Sequence, residues 1–213
     1  MEQEKRILEE LIERYPDLHS LKGDIQHAYE LMELCYEQKG IVLICGNGGS
    51  AADAEHITGE LMKGFLLKRP LATAEQNRFA ADGEHAAALA RQLQGALPAI
   101  SLVSQAALIS AFANDVRPDM VYAQQVYAYA KDRSALLLAL STSGHSENIV
   151  NAVRTAGCLG LPSVGITGQG GGRLKTLCSV CLCTPSEETY RVQEYTLPIY
   201  HALCAMLEAH FFL

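Results

Sequence analysis

Residues 41–50 read Ile41-Val-Leu-Ile-Cys45-Gly-Asn-Gly-Gly-Ser50. The first half is a short apolar run rich in β-branched residues, as suits a strand buried on both faces. The glycines then force a turn, and Ala51 to about Gly64 has helical character. A strand, a tight polar turn and a helix, in that order, open a parallel sheet flanked by helices.

The same unit recurs downstream. Pro98–Val103 reads as a strand and Ala106–Ala113 as a helix. Pro118 suits the first turn of a helix running to about Ala130. Ala135–Leu140 is a third strand, ending at Ser141-Thr-Ser-Gly-His-Ser146, with a helix to Cys158. Strands at Ser163–Thr167 and near Val180–Cys183 flank a Gly-rich turn at Gly168–Gly172. Thr189–Phe212 closes the chain as one long helix. Upstream, residues 4–14 and 21–38 place Leu8, Leu11 and Ile12, then Ile25, Ala28, Leu31, Met32 and Cys35, at helical spacing. Pro16 separates these two helices and Gly40 ends the second. The expected architecture is a three-layer α/β/α sandwich with a five-stranded parallel sheet, flavodoxin-like, plus an N-terminal helix pair. One domain spans 1–213, with 66–97 as an insertion carrying a short Ala-rich helix near 85–94.

Length and composition bound the function. The chain has 213 residues, enough for one sizeable core, and 49% are hydrophobic. Lys and Arg number 17 against 24 Asp and Glu, a formal charge of −7. That balance speaks against nucleic acid or an anionic membrane as partner, since both rest on clustered cations. No apolar run reaches the roughly 18 residues of a membrane span. The charged start, Met1-Glu-Gln-Glu-Lys-Arg6, lacks the apolar core of a signal peptide, so a cytoplasmic protein with reduced thiols is expected. Cys178-x-x-Cys181 followed by Cys183 invites a metal or redox reading. No second Cys pair completes a zinc set, and Cys is at home in a buried strand.

Four groups of residues can carry chemistry. Gly46-Asn47-Gly48-Gly49-Ser50-Ala51 fits G-x-G-x-x-A, the dinucleotide pattern. That pattern also wants a second strand with an acidic end about 20 residues on, where this chain is still helix. Glycine N–H groups offered to a different ligand, or a plain tight turn, are the other readings. Ser141, Thr142, Ser143 and Ser146 surround Gly144 before a helix. Hydroxyls, free N–H groups and a helix N-terminus can hold a phosphate without a cation. His56 and Glu60 stand at i and i+4 on one helix face. Gln193 and His201 lie about 12 Å apart along the last helix, with Pro198 between them and a bend expected there.

In combination, Gly46-Asn-Gly-Gly-Ser50, Asn114-Asp115, Ser141-Thr-Ser-Gly-His-Ser146 and Arg191-Val-Gln-Glu194 resemble the sugar isomerase (SIS) domain family. The likeness spans essentially the whole chain and is narrower with the sedoheptulose 7-phosphate (phosphoheptose) isomerases. It implies a ketose–aldose isomerase working through an enediol to D-glycero-D-manno-heptose 7-phosphate. It implies that Glu60 and His201 are the acid/base pair, and that His56, Glu60, Gln193 and His201 bind one zinc ion. Asn47, Gly48, Gly49 and Ser50 would touch the substrate with Glu60 and Gln193. Asn114 and Asp115 would line the sugar site, and Ser141, Thr142, Ser143 and Ser146 would hold the phosphate. It implies a homotetramer with sites at subunit interfaces, packed through the helices of residues 1–38 and the C-terminal helix.

Two departures stand out. His145 replaces the Asn usual in the phosphate loop, and 66–97 is longer than the usual link. A rival reading is a non-catalytic SIS protein, since Tyr122-Ala-Gln-Gln-Val126 resembles a regulator that binds the bacterial replication initiator. The presence of Glu60 and His201 favours the enzyme. A different ketose phosphate, or a sugar-phosphate sensor, are further alternatives.

Overall fold

The computed structural model describes residues 2–213. Its helices are α1 (Glu2–Arg14), α2 (Lys22–Glu37), α3 (Gly49–Met62), α4 (Thr73–Ala80), α5 (Glu84–Ala90), α6 (Ala106–Asp115), α7 (Val121–Ala130), α8 (Glu147–Cys158), α9 (Leu174–Leu177) and α10 (Thr189–Phe212). The strands are β1 (Ile41–Cys45), β2 (Ala99–Ser101), β3 (Ala135–Leu140), β4 (Ser163–Thr167) and β5 (Val180–Cys183). Short 3₁₀ turns at Pro16–Leu21 and Pro118–Met120 lead into α2 and α7.

All strand pairings are parallel, in the order β2-β1-β3-β4-β5. That is the flavodoxin-like order, with its reversal between β1 and β3. Every residue of β3 is buried, as a central strand covered on both faces must be. Alternate side chains feed two cores. Val42, Ile44, Leu136 and Leu138 pack with α1, α2, α3 and α10, while Leu43, Leu137 and Ala139 pack with α7 and α8. The N-terminal helices thus bury Leu8, Leu11 and Ile12 within their own chain, α1 lying along α10.

Residues 66–97 hold more helix than their sequence suggests. Two helices, α4 and α5, pack on each other. None of the α4 residues is buried, so no apolar face announced it. α5 stops at Ala90, short of the expected end near 94. The ends of the excursion are tied by a Pro70–Gln94 bridge and by Gly95 N–H donating to the Arg69 carbonyl at 2.7 Å. α10 continues through Pro198 as one helix. Cys178 lies just outside β5, and Cys181 and Cys183 bring their sulfurs to 4.0 Å. Burial pushes the Cys178 thiol up to about 11, away from thiolate reactivity.

Candidate active site

Both polar loops emerge at the C-terminal ends of adjacent strands, β1 and β3, where ligands bind in open α/β sheets. They enclose a hollow of about 270 Å³ lined by Asn47, Gly48, Gly49, Ser50, Ser141, Thr142, Ser146, Thr189 and Gln193. The N-terminal ends of α3, α8 and α10 all open onto it. Three helix ends bring free N–H groups and positive partial charge to one place, an environment for an anion. Ser141 Oγ donates to Ser146 Oγ at 3.2 Å, and Ser146 makes no side-chain bond to its own helix end. These hydroxyls retain capacity for a ligand.

The loops are held from behind. Asn47 and Asn148 exchange amide hydrogen bonds, each 2.9 Å. The Tyr122 hydroxyl donates to the Gly46 carbonyl at 2.9 Å, and burial pushes that phenol up to about 12. Gly144 has φ +66°, and a Cβ there would stand 2.3 Å from the Gly171 carbonyl oxygen. A Cβ on Gly49 would stand 2.3 Å from Gln193 Nε2, so the missing side chain is what admits the amide. Ser143 is exposed, accepts from the His145 N–H at 3.1 Å and lines a neighbouring hollow with His145, Gly168–Gly172 and Glu187.

The second half of the site lies further along α3 and α10. Glu60 is 9% exposed although it sits on a helix surface. Its Oε1 lies 3.1 Å from His56 Nε2, and its Oε2 accepts from Lys63 Nζ at 3.0 Å. His56 and His201 pack edge to face with ring centroids 5.1 Å apart. His201 Nε2 is buried with no hydrogen-bond partner. Burial is the main cause that holds the His201 imidazole below its ordinary value, His56 adding to it and Glu60 opposing. Its ring therefore favours the neutral form, with a lone pair to offer. Phe65 stacks against it at 5.4 Å, and an apolar groove of about 340 Å³ between α1 and α10 opens at this point.

His56, Glu60 and His201 thus come together. Gln193 does not join them, because its amide lies over Gly49 in the anion hollow. Asn114 and Asp115, at the exposed end of α6, bond to each other at 2.9 Å and line neither hollow. Among the described residues no three His, Cys, Asp or Glu side chains form a ready cation cage. The donor types still suit zinc, and the orphaned His201 Nε2 is a nitrogen awaiting a partner.

Sequence reasoning missed the supports. Arg69, Tyr200 and Asn148 bond to Glu60, His56 and Asn47, Tyr122 holds the glycine loop at Gly46, and Asp53 accepts from Tyr200. One signal was available: Glu208 is the one acidic residue in the apolar run Ala202–Ala209. An isolated charge in such a run calls for a buried partner.

A parallel 2-1-3-4-5 sheet with a glycine loop and a Ser/Thr loop at its switch point defines a sugar isomerase domain, and the SIS domain family model matches residues 5–92. The phosphoheptose isomerase 1 of Campylobacter jejuni is 34% identical over 191 residues, which cover 90% of this chain and 89% of that protein. The phosphoheptose isomerase of Nitratiruptor is 34% identical over 212 residues, covering 97% and 99%. The solved phosphoheptose isomerase of Neisseria gonorrhoeae superposes with a TM-score of 0.71 at 28% identity, over 97% of this chain and 94% of that one. The chain belongs to the phosphoheptose isomerase family.

Proposed function

We propose that the protein interconverts sedoheptulose 7-phosphate and D-glycero-D-manno-heptose 7-phosphate. The observation that carries this reading is one arrangement along α3 and α10. The anion hollow lies at their N-terminal ends, and Glu60 with His201 lie further along the same two helices. A heptose 7-phosphate is built the same way, with its phosphate at one end and the reacting carbons C1 and C2 at the other.

The phosphate is held by Ser141, Thr142 and Ser146 and by the N–H groups of three helix ends, with Asn47, Gly48, Gly49 and Ser50 on the sugar side. Glu60 removes a proton from C1 of the ketose, an enediol spans C1 and C2, and the proton returns to C2. His201, neutral and desolvated, moves the hydroxyl proton between the two oxygens. Lys63 and His56 hold the Glu60 carboxylate in position, one at each oxygen. His56, Glu60 and His201 are the residues that would hold zinc, with Gln193 reaching them only by leaving Gly49. Bound there, the ion would supply Lewis-acid polarisation of the carbonyl oxygen.

A homotetramer with shared sites belongs to this reading. The apolar helix α6 buries none of its residues in this chain, and its Leu108 is 37% exposed. Contact with another copy would cover that face and carry Asn114 and Asp115 to a site. The test is direct. Purified protein is given sedoheptulose 7-phosphate, with and without zinc, and the aldose product is followed. Turnover confined to other ketose phosphates, or binding without turnover, would overturn the proposal. Light scattering reports the assembly, and a monomer at working concentration would sink the shared site. Among the described residues no helix is long and apolar enough to cross a membrane.

A further inference from the structure

Behind His56 the structure places two groups that the reaction does not touch. Tyr200 is 1% exposed, and its hydroxyl lies 2.9 Å from His56 Nδ1. The same hydroxyl lies 3.4 Å from Asp53 Oδ1, which is one turn before His56 on α3. On its other side, His56 Nε2 faces Glu60 Oε1 at 3.1 Å. Asp53, Tyr200, His56 and Glu60 therefore form one unbranched chain of polar contacts. The His56 ring packs edge-on against Tyr200 and His201, with centroids at 5.5 and 5.1 Å, while 44% of its side chain stays exposed.

A neutral imidazole carries one proton, and a phenol has one to give. The chain can then be filled in two ways. In the first, Tyr200 donates to His56 Nδ1, and the proton on Nε2 is donated to Glu60. In the second, Tyr200 donates to Asp53, the His56 Nδ1 proton is donated to the Tyr200 oxygen, and Nε2 presents a bare lone pair. The first suits the short contacts seen here. The second is the form in which Nε2 can bind a cation, and it exists only if Asp53 accepts the phenol proton.

We propose that Tyr200 and Asp53 are positioning residues that select the tautomer of His56, and so decide whether its Nε2 serves Glu60 as a donor or a metal as a ligand. The inference rests on the reading of His56 as a zinc ligand. Outer partners of this kind orient a ligating imidazole and raise its affinity. Here the orienting carboxylate acts through a phenol instead of directly.

The test measures zinc affinity by chelator competition in the native protein, Tyr200→Phe, Asp53→Asn and the double variant. Each single variant is expected to bind zinc about tenfold more weakly or worse. The double variant is expected to match the weaker single one, because both break one chain. In zinc-loaded native protein, nitrogen-15 spectra should show the His56 proton on Nδ1 exchanging slowly with water, and fast exchange in Tyr200→Phe. A merely structural role would lower the melting temperature of these variants and leave affinity and exchange alone. Affinities within twofold of native in both single variants overturn the proposal. If the native protein binds no zinc, the metal reading itself fails. The chain is then judged in the metal-free ring, where Asp53→Asn should lower the share of the Nδ1-protonated form. An unchanged share in that case overturns the proposal too.

Discussion

Arg69 and Glu208, each only 1% exposed, meet at 2.7 Å between the link after α3 and the end of α10. The carboxylate also accepts from the N–H groups of Phe65, Leu66 and Leu67 at 2.8, 2.7 and 3.0 Å. The guanidinium donates to the carbonyls of Leu61 and Glu60 at 2.8 and 3.0 Å and lies over the Phe212 ring at 4.7 Å. A helix C-terminus leaves carbonyls without partners, and Arg69 supplies them for α3. The pair thus anchors the backbone of Glu60 to α10, which carries His201. It aligns the two halves of the proposed acid/base pair without touching substrate.

Removing either partner should therefore cost stability. Breaking a buried, fully bonded pair leaves an unpaired charge and costs roughly 3–5 kcal/mol. Arg69→Met and Glu208→Gln should each lower the urea midpoint sharply. Their double variant should be less harmful than the sum, because it buries no lone charge. Additive losses measured by urea unfolding would show that the two side chains are not energetically coupled.

Glu60→Gln should abolish proton abstraction while keeping the fold. The amide matches the carboxylate in shape, so substrate affinity is expected to survive. Loss of a general base lowers kcat by about 10²–10⁴-fold. His201→Ala should fall in the same range. Steady-state kinetics on sedoheptulose 7-phosphate, beside equilibrium binding, separate these effects. Full turnover in either variant would remove that residue from the chemistry.

The fold was readable because its signals were strong and local. β1 and β3 are unbroken apolar runs bounded by polar loops, and burial on both faces is what such runs are for. The loops were readable because glycines and hydroxyls at strand ends have few other uses. The helix α4 was not, since Thr73–Ala80 has no apolar stripe and packs chiefly on α5. Nothing in the sequence marks Tyr200 out, and its hydroxyl acquires meaning only when α3 is laid beside α10. The separation of Gln193 from His201 follows from their spacing on a helix that runs on through Pro198, whereas the close approach of the Gln193 amide to Gly49 is encoded by no helical spacing.

Acid should weaken the protein through His201. Its folded imidazole is held below the ordinary value of 6.5, mainly by burial. As pH falls through that value the unfolded chain takes up the proton first. Stability is thus full above about 6.5, declines as pH drops toward the folded value and levels off beneath it. Urea unfolding between about pH 5 and 8 should show that decline, and His201→Gln should flatten it. The acid limb of kcat should also fall below 6.5, because the neutral ring persists into mild acid. Identical slopes in native protein and variant would show that His201 does not titrate in this window.

Gly49→Ala should separate stability from activity. Gly49 begins α3, and alanine favours helix over glycine by about 1 kcal/mol. On backbone grounds alone the variant should be as stable as the native protein or more so. The added methyl, however, would sit 2.3 Å from the Gln193 amide nitrogen. Gln193 lies on a helix and cannot retreat with its backbone, so its side chain must swing out of the hollow. Losing one hydrogen bond to a charged ligand costs about 1.5–3 kcal/mol, or about tenfold or more in KM. Gln193→Ala alone should produce the same rise. The double variant should be no worse than Gln193→Ala, since the clash disappears with the amide. A double variant much weaker than either single one would place the harm of Gly49→Ala in the loop itself, and Gln193 would lose its role as the residue for which the glycine makes room.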